Sequence, residues 1–107
     1  MNEFTKRGEA FEGKFAHEEA LLFKAVARRN RLMGLWAAQR LGKSGADAEG
    51  YASTVVIADL EEPGDEDVVG KVIGDLQTAG VPSDEGQVRR VLEGFMVRAI
   101  DEIKTGP

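Results

Sequence analysis

The chain of 107 residues is long enough for one compact domain, and its 42% hydrophobic and 31% charged content is typical of a folded, soluble protein. It contains no cysteine, which excludes disulfides, thiolate metal sites and thiol catalysis. The net charge of −5 is unevenly distributed: residues 1–43 carry nine basic and five acidic side chains, whereas residues 44–107 carry five and fourteen. This acidic body argues against nucleic acid as a partner, because phosphate binding requires positive charge.

Residues 1–16 carry three phenylalanines, Phe4, Phe11 and Phe15, at the spacing i, i+7, i+11 of one helical face. Gly8 occupies the i+4 position, so the apolar stripe is thin. We predict a mobile N-terminal segment. Its aromatic side chains either pack on an outer groove of the domain or bind a groove of a partner protein, which such a spacing suits.

The first predicted helix covers residues 18–41, which are almost all good helix formers. Its apolar stripe is interrupted by "RRNR", residues 28–31, and resumes as "LMGLWAA", which we expect to lie in the core. The "RRNR" stretch is either a solvated turn or an anion site, since guanidinium groups form paired hydrogen bonds with phosphate oxygens. Trp36, farther along the same helix, either belongs to the core or stacks on a base.

Three further patterns of helical period follow, separated by short connections. They predict helices over residues 47–61, 65–79 and 84–104. The predicted N-caps are Asp47 (with Ser44 as the alternative), Asp65 and Ser83. The β-branched run "TVVI" in the first of these patterns suggests a strand by propensity, but we give more weight to its helical period. The predicted fold is all-α, a four-helix bundle-like domain over residues 17–107 preceded by the mobile segment.

Signals for an enzyme or a metal site are weak. His17 is the single histidine, and no metalloprotease, phosphate-loop or serine-nucleophile motif is present. We interpret His17 either as an exposed side chain at a helix entrance or as a pH-responsive hinge. The acidic stretch "DEDVVGKVIGDL" is either a solvated helix start or a divalent-cation site, although it lacks the spacing of an EF-hand. We therefore predict no catalytic residue and no metal.

Four stretches carry a family resemblance: "FAHEE", "ARRN", "MGLWAA" and "ADLEEPGDEDV". Together they resemble the zeta subunit, or ATPase inhibitor subunit, of alphaproteobacterial F-type ATP synthases. The resemblance covers nearly the whole chain and implies a four-helix, non-catalytic regulatory subunit that inhibits ATP hydrolysis. It further implies a bacterial protein that is monomeric when free. Such a protein is cytoplasmic and peripheral to the inner membrane through the ATP synthase, without inserting into the membrane.

The resemblance also implies a mechanism and a set of partners, the alpha, beta and gamma subunits. In this family the N-terminal segment enters a catalytic interface between alpha and beta, near gamma, and blocks rotation in the hydrolysis direction. The implied partner-binding residues are Phe4, Lys6, Arg7, Phe11, Lys14, Phe15 and His17. The chain departs from the family at Gly8 and Gly13, where better helix formers are usual.

Two other functions stay open at this point. Some family members are thought to bind adenine nucleotide, so the chain is alternatively a nucleotide-binding helical sensor. No cofactor is expected beyond this ADP or ATP ligand, whose candidate residues are Arg28, Arg29, Arg31 and Trp36. The third hypothesis is a small structural adaptor that uses the acidic face of residues 59–75.

Overall fold

Four α-helices follow one another along the chain. They are α1 (Asn2–Arg40), α2 (Gly45–Glu61), α3 (Asp65–Thr78) and α4 (Glu85–Thr105). The structure is a computed structural model that describes the backbone of residues 2–61 and 64–105 and the side chains of residues 19–61 and 64–105. No strand occurs in these ranges. The predicted all-α, four-helix fold is confirmed.

Helix α1 begins at Asn2, whereas the sequence predicted a helix from residue 18. Two glycines in the first sixteen residues favoured the later start, but each costs a helix only about 1 kcal/mol relative to alanine. No proline interrupts the hydrogen-bond ladder there. The side chains of residues 1–16 lie outside the described ranges. The mobility of this segment and its inhibitory role therefore stay predictions.

The core lies between the second half of α1 and one face of each other helix. Its fully buried members from α1 include Met33 and Ala37, as the "LMGLWAA" stretch predicted. The other helices contribute Val55, Val68, Val69, Val72, Leu76, Val88 and Leu92. The β-branched run is helical, and Val55 within it is fully buried. Tertiary burial at the helical period therefore outweighs strand propensity here.

Helix α1 contacts the other three helices, most extensively α2 and then α4. The chain leaves α1 through Gly42, whose φ of 80° is left-handed, and leaves α3 in the same way through Gly80, with a φ of 75°. At the first site Lys43 N–H donates to the Ala38 carbonyl at 2.8 Å. At the second, the Val81 N–H bond to the Leu76 carbonyl is 2.9 Å long. Both are Schellman motifs, which reverse the chain sharply.

Three predicted N-caps, Asp47, Asp65 and Ser83, are wrong, whereas the alternative Ser44 is at the position that precedes α2. Gly64 precedes α3 without any side-chain cap. Helix α4 is capped by Asp84 rather than Ser83, because Asp84 Oδ2 accepts a bond from Gln87 N–H at 3.2 Å. Asp and Ser are comparable caps, so their choice depends on where the loop places each side chain.

Candidate functional site

The four residues 28–31 face different directions around α1. Arg28 and Arg31 are exposed, whereas Arg29 and Asn30 are buried. The interpretation of this stretch as a solvated turn is therefore wrong for Arg29 and Asn30. A period of 3.6 residues turns successive side chains by about 100°, so four consecutive polar residues cannot share one wet face.

Arg29 is held inside the fold by two partners. Its Nε and Nη2 donate to Asn30 Oδ1 at 3.1 and 2.9 Å, and its Nη1 donates to Asp65 Oδ1 at 2.9 Å. The Arg29 side chain is only 6% exposed, while that of Asp65 is 63% exposed. A buried charge needs such a counter-charge, so the pair fixes α1 to the first residue of α3. Arg29 also lines a small cavity of about 150 Å³ with Arg89 and Met96.

Arg28 and Arg31 line a larger cavity, of about 510 Å³, between α1, α2 and α4. We call this cavity the arginine groove. It is lined by Arg28, Arg31, Leu32, Val56, Arg98 and Glu102, with Ala27 beside them. Arg98 Nε donates to Glu102 Oε2 at 3.1 Å, and Arg28 Nη1 lies 3.5 Å from Glu102 Oε1. One carboxylate is therefore shared by two guanidinium groups.

The third guanidinium of the groove has its own partner on α2. Arg31 Nη2 donates to both carboxylate oxygens of Glu49, at 2.8 and 2.9 Å. Both side chains are more than half exposed, and exposed ion pairs of this kind contribute little to stability. Arg31 therefore keeps N–H donors that can bind a ligand or a partner.

Trp36 lies apart from these arginines. It packs against the hydrophobic core, and the guanidinium carbon of Arg40 lies 4.2 Å from its ring centroid. Trp36 lines neither the small cavity beside Arg29 nor the arginine groove. The structure thus brings Arg28 and Arg31 together and places Arg29 and Trp36 elsewhere. Nucleotide binding by these residues stays a prediction.

The sequence did not identify the contribution of α4 to this groove. Arg98 and Glu102 are spaced i, i+4, which predicts an ion pair on one helix face. Nothing local in the sequence indicates that this face meets Arg28, because the contact joins distant parts of the chain. Only the packing of α4 on α1 brings the three charges together.

The chain matches a family model over nearly its whole length. The model of ATPase inhibitor subunit zeta matches residues 1–102. The chain belongs to this family. The family resemblance drawn from the sequence is thereby confirmed, and the match includes the N-terminal segment as well as all four helices.

A solved structure resembles this zeta-family chain in sequence and in fold. It is a solution NMR structure of a protein that is 52% identical, with a TM-score of 0.67. The alignment covers 77% of this chain and 93% of that one. None of the curated proteins matches.

The residues that the zeta family implies for partner binding lie at the start of α1. Their backbone is helical, and their side chains are outside the described ranges. They are Phe4, Lys6, Arg7, Phe11, Lys14, Phe15 and His17. Their role stays a prediction.

Several acidic side chains of residues 59–75 accept hydrogen bonds from other residues of the protein. Asp59 Oδ1 accepts a bond from Gly64 N–H at 3.3 Å, and Glu66 Oε2 accepts one from Arg89 Nη2 at 2.8 Å. The hydrogen bond with Arg89 lowers the pKa of Glu66, since it favours the ionised carboxylate. These carboxylates are already bonded within the protein. A partner that docks on the acidic face would compete for them.

Asp75, in the same stretch, links α3 to α2. Its Oδ2 accepts a bond from the Tyr51 hydroxyl at 2.8 Å and one from Lys71 Nζ at 3.0 Å. Lys71 Nζ also lies 5.3 Å from the centroid of the Tyr51 ring. Burial, followed by the bond to Asp75 and its negative charge, raises the pKa of Tyr51 well above the usual value. The fold therefore stabilises the neutral phenol, which donates a hydrogen bond to Asp75.

Among the described residues, no three His, Cys, Asp or Glu side chains group closely enough to hold a metal ion. Within those same ranges, no helix combines the length and the apolar character that crossing a bilayer requires.

Proposed function

We propose that the protein is a regulatory subunit that inhibits ATP hydrolysis by an F-type ATP synthase, without a catalytic activity of its own. The observation that carries this proposal is the match of the ATPase inhibitor subunit zeta family over residues 1–102. Because the match extends to the first residue, the family pattern includes the segment to which inhibition is assigned. The protein acts on the synthase head, at the cytoplasmic side of the inner membrane.

The proposed mechanism is mechanical. Residues 1–16 enter a catalytic interface between the alpha and beta subunits, beside gamma, and block rotation in the hydrolysis direction. Helix α1 supports this proposal, because it runs without interruption from Asn2 into the core at Met33 and Ala37. At 1.5 Å per residue, its first sixteen residues are about 25 Å long as a helix. A load on this part would pass along one helix into the packed domain.

The spacing of the phenylalanines supports the same mechanism. Phe4, Phe11 and Phe15 share one face of a helix. Grooves that bind helices are filled by apolar side chains at such spacings. We therefore assign the contact with the partner mainly to these three residues, with the neighbouring charges setting orientation.

The test is a titration of ATP hydrolysis by the cognate synthase with the full chain and with a chain lacking residues 1–16. We expect the full chain to inhibit and the shortened chain to lose inhibition while keeping its helical circular dichroism. A finer test is Phe11→Ala with Phe15→Ala, for which Phe23→Ala is the matched control because Phe23 is a 62% exposed residue of α1 outside the segment. Inhibition that survives the truncation would contradict the mechanism.

Adenine-nucleotide binding in the arginine groove is an alternative proposal. The observation in its favour is that Arg28 and Arg31 line one cavity of about 510 Å³, within the size range of ligand pockets. Adding ADP or ATP should then shift the amide NMR signals of these residues and change Trp36 fluorescence if the core responds. A flat fluorescence titration with an unchanged amide spectrum would remove this proposal.

A further inference from the structure

We propose that the arginine groove is a second docking site, on which the four-helix domain holds an acidic amphipathic helix of the ATP synthase. The inference rests on the proposed inhibitory function, and it concerns a surface outside the N-terminal segment. The domain would then contribute affinity directly, in addition to carrying the inhibitory helix.

The groove continues along α2. A neighbouring cavity of about 270 Å³ is lined by Arg31, Glu49, Val56 and Ile57, so the two cavities share Arg31 and Val56. Together they extend from Arg98 and Glu102 on α4, past Arg31 on α1, to Ile57 on α2. This extent suits a segment of secondary structure that lies across the surface.

The floor of the groove is apolar. Leu32 and Val56 are partly exposed, and Ile57, at the edge, is half exposed. Leu32 of α1 and Val56 of α2 line the same cavity, and Val56 and Ile57 line the neighbouring one. An occupant with apolar side chains one turn apart would remove them from water.

The rim of the groove carries an excess of positive charge. Arg28, Arg31 and Arg98 are paired with only two carboxylates, those of Glu49 and Glu102. The exposed fractions of the three side chains lie between 42% and 58%. The chain as a whole has a net charge of −5, so this patch has the opposite sign. Guanidinium groups bind carboxylates in a bidentate manner, which makes an acidic partner the complementary one.

The position of the groove on α1 connects it with the synthase. Arg28 lies on the same helix as the inhibitory segment, about 20 Å beyond its end at 1.5 Å per residue. When the segment is inside the enzyme, the groove is therefore within reach of the surface around the entry point. A helix of that surface with acidic and apolar side chains is the occupant we propose.

The experiment compares the unchanged chain with a triple variant, Arg28→Gln, Arg31→Gln and Arg98→Gln. Arg90→Gln is the matched control, because Arg90 is an exposed arginine of α4 whose partner Asp84 lies 3.9 Å away, outside the groove. Binding to the cognate synthase head is measured at low and high salt, together with ATP hydrolysis. We expect the triple variant to bind about tenfold more weakly at low salt and to respond less to salt. It should still inhibit fully at saturation.

A second pair of variants tests the apolar floor. Ile57→Ser should weaken binding while its salt dependence stays unchanged. Leu60→Ser is the control, because Leu60 is a similarly exposed residue of α2 that lines a different cavity, with Phe23. Thermal unfolding of every variant checks that the domain is folded. We expect all of them to fold, because the substituted side chains are exposed.

Each other result contradicts the groove proposal in a recognisable way. A triple variant that binds as tightly as the unchanged chain contradicts the groove alone, whereas an unchanged chain that neither binds nor inhibits contradicts the inhibitory function as well. Three competing occupants are tested on the free protein. The oligomeric state reports on a second copy, and the NMR signals of Arg28 Nε and Arg98 Nε report on the other two. A dimer lost in the triple variant indicates a second copy, a shift on removing residues 1–16 indicates the chain's own segment, and a shift on adding ATP indicates a nucleotide.

Discussion

Gly34 of α1 packs directly on the backbone of Ala52 of α2. A β-carbon added at Gly34 would lie 2.5 Å from the Ala52 α-carbon and 3.2 Å from the Ala52 carbonyl oxygen. Both residues are buried, and they lie where α1 meets the helix with which it shares most of its contacts. The two helices therefore approach at a distance that only a residue without a side chain permits.

We predict that Gly34→Ala lowers the free energy of unfolding by about 1–3 kcal/mol, because the two backbones must separate. Gly50→Ala is the control: Gly50 lies in α2 with open space around its α-carbon, and alanine should raise stability by about 0.5–1 kcal/mol. Urea unfolding followed by circular dichroism measures both. Equal effects of the two substitutions would mean that the close helix contact is absent.

The bond between Arg29 and Asp65 gives a second prediction. Asp65→Ala leaves a nearly buried guanidinium with Asn30 as its remaining side-chain partner, so we expect a loss of about 1.5 kcal/mol of stability. Glu66→Ala is the matched control, since Glu66 also lies in the first turn of α3 but pairs with Arg89 on the surface. It should change the urea midpoint much less. If both variants behave alike, the loss comes from the helix dipole and not from the buried pair.

Tyr51 gives a prediction for pH dependence. The folded protein holds the phenol proton to a higher pH than the unfolded chain, in which tyrosine titrates near pH 10. The stabilising contribution is therefore complete below about pH 10 and is lost as the pH rises through the pKa of the folded state. Tyr51→Phe should cost about 1 kcal/mol at neutral pH through the lost bond to Asp75.

Unfolding measured between pH 8 and pH 11 checks this prediction. The stability difference between the unchanged chain and Tyr51→Phe should narrow above pH 10. Tyr51 is the single tyrosine, and lysines titrate in both proteins, so the difference isolates one hydroxyl. A difference that stays constant across this range would show that the phenol titrates normally in the fold.

The sequence was sufficient for most of the fold because the apolar residues repeat at helical spacing. Met33 and Ala37 were placed in the core by their period, and Val55 was assigned to a helix against its propensity. The predicted ends of the first and third helices, residues 41 and 79, come directly before Gly42 and Gly80, whose left-handed backbone favours glycine. Each of these sequence signals is local, because it depends on only a few consecutive residues.

Features that depend on packing were not predictable. The burial of Arg29 requires Asp65 to approach from another helix, and Glu102 pairs with Arg28 only because α4 lies on α1. The choice of Asp84 as a cap depends on the path of one loop. The partners of Arg29 and Arg28 are distant in the sequence, and Asp84 lies next to Ser83, an equally good cap. Composition and period therefore could not predict these contacts.

Gly8 and Gly13 give the last prediction, which concerns inhibition. Both lie within the range of α1, and glycine costs a helix about 1 kcal/mol relative to alanine because it loses the most backbone freedom on ordering. If the segment acts as a helix in the enzyme, Gly8→Ala with Gly13→Ala should strengthen inhibition by roughly tenfold or more. A titration of ATP hydrolysis measures the change, with Gly50→Ala as the control for a helical glycine outside the segment. Unchanged inhibition by the double variant would show that the segment does not become helical on binding, and weaker inhibition would show that it does not act as a helix. Equal strengthening by Gly50→Ala would trace the effect to domain stability.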